Sequence, residues 1–476
     1  MQHIYKLIIT LIGLIGYPTL WGQHQEILEK PALYQNEQIK VEDSTSLWSA
    51  FKRGQVNGHF RYFFMSTQNK SDYSDYYAHA AGGGLRFKTA QFHKFQFTLS
   101  GFYTFNVGSS DLGKQDSATG QSNRYEIGLF DIQDPYNKKD ISRLEEFNLT
   151  YFYKKSSIIF GRQLINTPFI NLQDGRMRAT GVEGLWFELN DIKNTTLEGG
   201  WLYSISPRST TKWFDIGKSM AIYPVGVNPD GTKSQYINNL SSAGVFMLGM
   251  HFKIKKHLEI QAWNLYTQNI FNSLLLQADW RFPLKNQSAL TLAGQFVRED
   301  AIGHGGNEDN SKTYMEKDAK AVTFGAKVGW KNKAWEASLN YNRITSAGRY
   351  LIPREWGRDP FFTFMPRERN EGLGDTHAFM SKINHNFQKS NFKTSLALGY
   401  FKLPDVKNYR LNKYGLPSYA QINGDMRYIF DHSLKGLELQ ILVVGKLKVG
   451  DTYGIGKYEI NKVDMMQYNV VLNYRF

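Results

Sequence analysis

The chain has 476 residues, a formal charge of +14, 15% aromatic and 21% charged residues, and a mean hydropathy of −0.45. Cysteine is absent, which excludes disulfides, thiolate metal sites, cysteine nucleophiles and a lipoprotein anchor. The Lys and Arg are dispersed, with no helix-turn-helix, zinc-finger or RNP pattern, so the basic balance does not point to nucleic acid.

At the N-terminus, Lys6 precedes the apolar run "LIITLIGLIGYPTLW" (7–21), and polar "GQHQE" follows. The run is too short to span a bilayer comfortably. It reads as a secretory signal, residues 1–22, cleaved after Gly22; an uncleaved membrane anchor is the alternative. Residues 23–53 read as a periplasmic segment in which "DSTSLWSAFKRG" makes a short helix capped at Asp43 or Ser44. No later apolar run reaches the length of a spanning helix, so a membrane role for residues 54–476 requires a closed barrel.

From Gly54 onward, apolar and polar residues alternate in short segments separated by turn signals. Eighteen strands are expected, near 55–68, 75–89, 92–107, 143–154, 156–164, 181–190, 194–206, 240–254, 256–267, 270–283, 288–299, 320–331, 333–344, 374–388, 391–402, 421–431, 436–449 and 463–476. In "EEFNLTYFYKK", Phe147, Leu149, Tyr151 and Tyr153 oppose Asn148, Thr150 and Lys154. In "SLLLQADWRF", Leu274, Leu276, Ala278, Trp280 and Phe282 oppose Gln277, Asp279 and Arg281. Short connections (154–157, 190–194, 253–257, 331–333, 388–391) alternate with long ones (near 108–142, 207–239, 300–319, 345–373, 403–420 and 450–462). Short turns on one rim and long loops on the other are the pattern of an all-β antiparallel transmembrane barrel, with turns and both chain ends in the periplasm and loops outside. The triplet Gly82–Gly84 reads as sharp curvature or close packing inside a strand, not as a phosphate loop. "GHGGNEDN" (303–310) reads as a loop tip whose acids match no known Ca²⁺ spacing, and His304 and His377 lack metal-ligand company.

The stretch "IIFGRQLINTPFINLQDGRMRATGVEGLWFEL" (158–189) is less generic. A strand ending in Gly161-Arg162 leads through Pro168 to Asp174-Gly175-Arg176-Met177-Arg178 and re-enters a strand at Gly181–Gly184. This resembles the OprD-like family of substrate-specific outer-membrane porins, in a form that looks like a Bacteroidetes-type branch. The resemblance implies an 18-stranded barrel whose third (165–180) and seventh (345–373) loops fold inward as a constriction. It also implies a ladder of Arg and Lys guiding carboxylate-bearing solutes such as amino acids, small organic acids or peptides, with no cofactor.

A barrel of this size leaves an aqueous lumen unless something fills it, and selectivity then rests on charges at the narrowest point. In the third loop the candidates are Asp174, Arg176 and Arg178. In the seventh, "YLIPREWGRDPFFTFMPRERNEG", they are Arg354, Glu355, Arg358, Asp359, Arg367 and Arg369, with Pro353, Pro360 and Pro366 stiffening the loop. Strand parity sends Arg61, Arg86, Lys88, Arg281, Lys327, Arg427, Lys446 and Lys448 to the lumen, because charge on the lipid face is costly. These cations suit small anionic or zwitterionic solutes; on the long loops they also suit the phosphates of lipopolysaccharide. Other readings are a partner barrel of an uptake or adhesion complex, and an outer-membrane hydrolase. The second lacks a G-x-S-x-G nucleophile motif, and the eleven His are scattered.

The chain ends on "NVVLNYRF". Val470, Leu472, Tyr474 and Phe476 take one side, for lipid; Asn469, Asn473 and Arg475 take the other, for the lumen. In a closed barrel this strand must pair with the first, near Gln55–Gln68. Its terminal Phe476 also resembles the signal read by the barrel assembly machinery. Whether the barrel is a monomer or a trimer is left open by the sequence.

Overall fold

The structure, a computed structural model, describes residues 33–34, 43–173, 176–255, 257–367, 369–388 and 390–476. The signal-like run, most of segment 23–42, and Asp174 lie outside the described residues.

Each alternating segment becomes a strand. The first half comprises β1 (Gln55–Gln68), β2 (Tyr76–Lys88), β3 (Phe95–Ser109), β4 (Ser142–Tyr153), β5 (Ser156–Gln163), β6 (Gly181–Leu189), β7 (Thr195–Ser206), the two-residue β8 (Phe214–Asp215) and β9 (Val245–Lys255). The second comprises β10 (Leu258–Thr267), β11 (Phe271–Pro283), β12 (Ala289–Ala301), β13 (Lys320–Lys331), β14 (Trp335–Ile344), β15 (Thr376–Asn386), β16 (Phe392–Lys402), β17 (Tyr419–Ile429), β18 (Leu437–Lys448) and β19 (Met465–Arg475). All pairings are antiparallel, and eighteen staves close a barrel, with β8 a side ladder on β7. Closure is made by β1 and β19, in register from His59↔Arg475 to Gln68↔Met466. At the seam Gly58 donates to the Phe476 carbonyl at 2.8 Å and Phe476 donates back at 3.1 Å. Among the described residues no strand edge is left facing lipid, where an unpaired backbone group costs several kcal/mol.

Period 2 sorts the two faces. Phe60, Leu85, Leu99, Phe147, Leu185, Leu276, Trp280, Leu339, Leu396 and Tyr474 are exposed on the outside. His59, Thr98, Asn148, Gln261, Asn340, Asn423 and Asn473 are buried on the inside. The inner wall itself has two tiers. Toward the extracellular rim it is apolar: Leu202, Val245, Met247, Trp263, Phe271, Val297, Ile344, Ala378 and Phe401 belong to one core with residues of the long loops. Toward the periplasmic rim it is polar, with Lys88, Asn148, Asp279, Lys327, Asp425 and Arg427 on inward positions. Each fully buried large apolar side chain contributes about 1.5–3 kcal/mol, which is why the loops fold in rather than spread over the surface.

Two details depart from the sequence reading, and one short connection, already implied by the expected strands 256–267 and 270–283, breaks the pattern of long loops. The helix Leu47–Lys52 is capped by Ser46, whose hydroxyl accepts from Ser49 N–H at 3.1 Å; Ser44 instead donates its N–H to the Gln91 carbonyl at 2.8 Å. The strand expected from residue 240 begins at Val245, because Leu240 turns into the core and packs against Gly306 and Gly217. The β10–β11 connection on the long-loop rim is only 268–270.

Candidate functional site

Both loops expected at the constriction turn inward, and they meet. Asn171 of loop 3 (164–180) is buried against loop 7 (345–375). Its side-chain oxygen accepts Arg358 N–H at 3.0 Å and its amide donates to the Arg358 carbonyl at 3.0 Å. Its own N–H donates to the Trp356 carbonyl at 3.2 Å. Thr180 adds a hydroxyl donation to the Glu355 carbonyl at 2.9 Å. A side chain at Gly357 would collide with Asn171, with a Cβ 2.6 Å from its amide carbon, so this close approach requires glycine.

Loop 7 crosses the lumen. At one end Gln295 of β12 donates to the Pro360 carbonyl at 3.0 Å. At the other, Gln421 of β17 donates to the Pro366 carbonyl at 2.8 Å, and Arg367 donates to Asn469 of β19 at 2.7 Å. The prolines therefore stand where the loop is tied to opposite parts of the wall. Loop 4 (207–244) clamps the same strap: Tyr223 donates its N–H to Glu355 at 2.9 Å, and Trp356 donates to Ser219 at 3.0 Å. Loop 2 (110–141) also folds in, where Ile127, Leu129 and Phe130 pack with Phe63, Met65 and Phe102 of the wall.

The predicted charges have distinct fates. Arg178 forms a two-pronged ion pair with Glu145, which also holds Arg143 at 2.9 Å, and all three are buried. Phe102 covers the Arg178 guanidinium at 4.0 Å. Room for Phe102 comes from the glycine triplet, since a Cβ on Gly82 would lie 2.5 Å from its ring. Arg354 pairs with Glu371 at 3.3 Å and lies 4.1 Å from the Tyr414 ring centroid. Arg358 lies over Phe364 at 4.7 Å. Asp359 accepts the Asn370 N–H at 2.8 Å, and Arg369 donates to the Gly357 carbonyl. Burial raises the carboxyls of Glu355, Asp359 and Glu371, and it pulls the Lys413 amine beside Glu371 down to about 8. Arg176 adopts a left-handed backbone (φ 54°), and its carbonyl accepts from Arg61.

All eight ladder candidates stand at inward-facing strand positions. Lys446 donates to the Arg367 carbonyl at 2.7 Å, and Lys448 pairs with Glu459 of loop 9 (449–464), so these two hold loops. Arg281 is exposed at the periplasmic mouth, and Lys327 lies mid-wall. Of the others, Lys88 stands opposite Gln55 at the periplasmic end of β2, and Arg427, Arg61 and Arg86 join Lys393 and Arg475 in a band across the closing seam, with Lys393 and Arg427 in register on β16–β17. Asn473 ties the band to loop 3. Its oxygen accepts from Arg61 Nε at 2.7 Å and lies 3.1 Å from His59 Nε2, while His59 Nδ1 lies 3.3 Å from Arg178. Arg427 pairs with Asp425 at 3.0 Å and Arg475 with Glu438 at 3.1 Å, which tempers the band.

Two residues at this site were not legible in the sequence. Counting back from outward Phe147, strict alternation would turn Glu146 inward and Glu145 outward. A register shift opposite Ser100/Gly101 makes Glu145 the extra residue of a bulge, so both glutamates are buried. Asn171 is an ordinary loop asparagine until its partner, 187 residues away, is placed beside it.

A family model described as outer membrane porin, OprD family, matches residues 113–352. The fold is similar to that of Pseudomonas aeruginosa OpdK solved with vanillate, at TM-score 0.69 and 10% identity over 90% of this chain and 99% of that one. It is also similar to Pseudomonas aeruginosa OccK9 (OpdG), at TM-score 0.70 and 13% identity over 90% and 99%, and to Acinetobacter baumannii OccAB4, at 0.68 and 14% over 89% and 98%. At these identities the likeness speaks for the fold. No curated protein matches the sequence.

Proposed function

The chain belongs to the OprD family of outer membrane porins, a family of channels for small solutes, and from that premise we propose that it selects small carboxylate-bearing solutes by the basic band on its inner wall. The observation that carries this reading is the band itself: Lys393 and Arg427 in register on β16–β17, Arg475 and Arg61 one inward position apart across the seam, and Arg86 on β2 opposite Asn57, two inward positions along β1 from Arg61, continued by Arg178 and Arg176 of loop 3. Cations between low-dielectric walls raise the local concentration of anions far more than the same charges on an open surface. The vanillate in the OpdK structure is a carboxylate of the size such a band would suit.

In this reading Arg176 and Arg178, with Arg354, Arg358, Arg367 and Arg369 behind them, shape the constriction. Most are braced by carboxylates, carbonyls or rings, so they act as fixed charges rather than mobile arms. Asp174 belongs to the same loop and would moderate its charge. Residues 1–22 serve as a secretory signal, and Phe476, exposed at the seam, is the part offered to the assembly machinery.

The test is planar-bilayer recording of folded, heat-modifiable protein in a salt gradient. Discrete steps whose reversal potential favours anions, reduced by a small carboxylate in the bath, are expected. Steps indifferent to carboxylates, or selective for cations, would overturn the carboxylate reading.

A further inference from the structure

Two described parts of the N-terminal segment lie on opposite faces of the barrel wall. Outside, the helix Leu47–Lys52 lies at the periplasmic rim, with Phe51 stacked on outward Phe87 at 6.0 Å and Ala50 accepting the Ala90 N–H at 2.9 Å. Inside, Tyr34 is 6% exposed, the Arg86 guanidinium lies 3.9 Å from its ring centroid, and His59 packs edge-on at 6.5 Å. Arg86 and Phe87 are consecutive residues of β2, one facing in and one facing out. Tyr34 and the helix Leu47–Lys52 thus lie on opposite faces of β2.

We propose that Tyr34 is a selectivity-determining residue of the channel, an aromatic side chain that covers the Arg86 end of the basic band from within the lumen. The inference rests on the channel reading. Arg86 is the band position next to Asn57 of β1, and His59, which Tyr34 also touches, leads to Arg178 and Asn473. A phenol stacked on a guanidinium leaves the positive charge in place. It takes the flat face that a solute's carboxylate or ring would otherwise use, and it narrows the passage at that height. A solute therefore meets Arg86 only at its edge, or displaces Tyr34.

The experiment compares wild type, Tyr34→Ala, Tyr34→Phe and Arg86→Gln, with the Tyr34→Ala/Arg86→Gln double variant, by single-channel recording on heat-modifiable protein in a KCl gradient. Tyr34→Ala should raise unit conductance by at least about 1.5-fold and move the reversal potential toward anions, because it widens the lumen and uncovers a cation. Tyr34→Phe keeps the ring and should match wild type. In the Arg86→Gln background the shift in reversal potential on removing Tyr34 should vanish. A conducting wild type with an identical Tyr34→Ala overturns this inference alone, whereas silence of every folded variant removes the channel reading with it. A second measurement does not need the alanine variant to fold. Tyr34→Cys, in a chain without other cysteines, should react with an anionic methanethiosulfonate added to the bilayer chambers, with a step change in current; a cysteine that leaves the current unaltered places Tyr34 outside the conducting path.

Discussion

Asn171→Ala tests how the strap across the lumen is held. Asn171 is 1% exposed, and its side chain satisfies both the N–H and the carbonyl of Arg358, each at 3.0 Å. Alanine leaves these two buried backbone groups without partners. An unsatisfied buried group costs about 1–3 kcal/mol, so with partial relief from an entering water the loss is about 2–4 kcal/mol. The barrel should not register it, since no strand pairing depends on Asn171. Loop 7 should, because the loss falls on its attachment to loop 3. Every 1.4 kcal/mol is tenfold in an equilibrium constant, so local opening of the strap should rise about 30- to 800-fold. The loop carries Arg354, Arg358, Arg367 and Arg369, so trypsin is a direct assay. Where opening is fast, cleavage follows the open population. Folded Asn171→Ala should be cut between residues 354 and 369 at least tenfold faster than wild type, with noisier single-channel current and an unchanged heat-modifiable band. Equal cleavage rates would mean that the clamp to loop 4 and the wall holds the strap without loop 3.

Other outcomes follow from the same contacts. Glu145→Gln leaves Arg143 and Arg178 buried without their carboxylate; breaking such a group costs about 3–5 kcal/mol, read as a lower urea midpoint on heat-modifiable gels. Leu396→Arg puts charge on the lipid face near mid-strand and should cost about 2–4 kcal/mol in the same assay, whereas Asn423→Ser, on the inward face nearby, should cost less than half as much. Burial raises the Glu459 carboxyl, but hydrogen bonds from Lys448, Thr452 and Tyr73 outweigh it and hold the group at about 2, below its ordinary 4.5. A depressed carboxyl stabilises the folded state above its unfolded value. The tether of loop 9 should therefore be intact at pH 6 and lost between about pH 4.5 and 2, seen as faster hydrogen exchange in 449–464, and Glu459→Gln should remove that pH dependence.

The alternation of residues by itself determined the staves, their faces and the seam. "NVVLNYRF" reads lipid and interior in turn, and Val470, Leu472 and Tyr474 do face out beside β1, while Asn473 faces in to Arg61. The physical reason is local: a strand between water and hydrocarbon must change polarity every residue, so the solvent on each side is written into neighbours. Asn469 shows the limit, because its inward position is right, yet it meets Arg367 of loop 7 rather than water. Which loops meet, that Glu145 turns in at a bulge, that Arg178 is braced while Arg86 carries Tyr34, and that the outer tier of the lumen is an apolar core were decided only by the tertiary structure. These depend on hydrogen bonds and ion pairs between residues tens to hundreds of positions apart, for which a periodic pattern holds no signal; closing the barrel brings them within reach of one another.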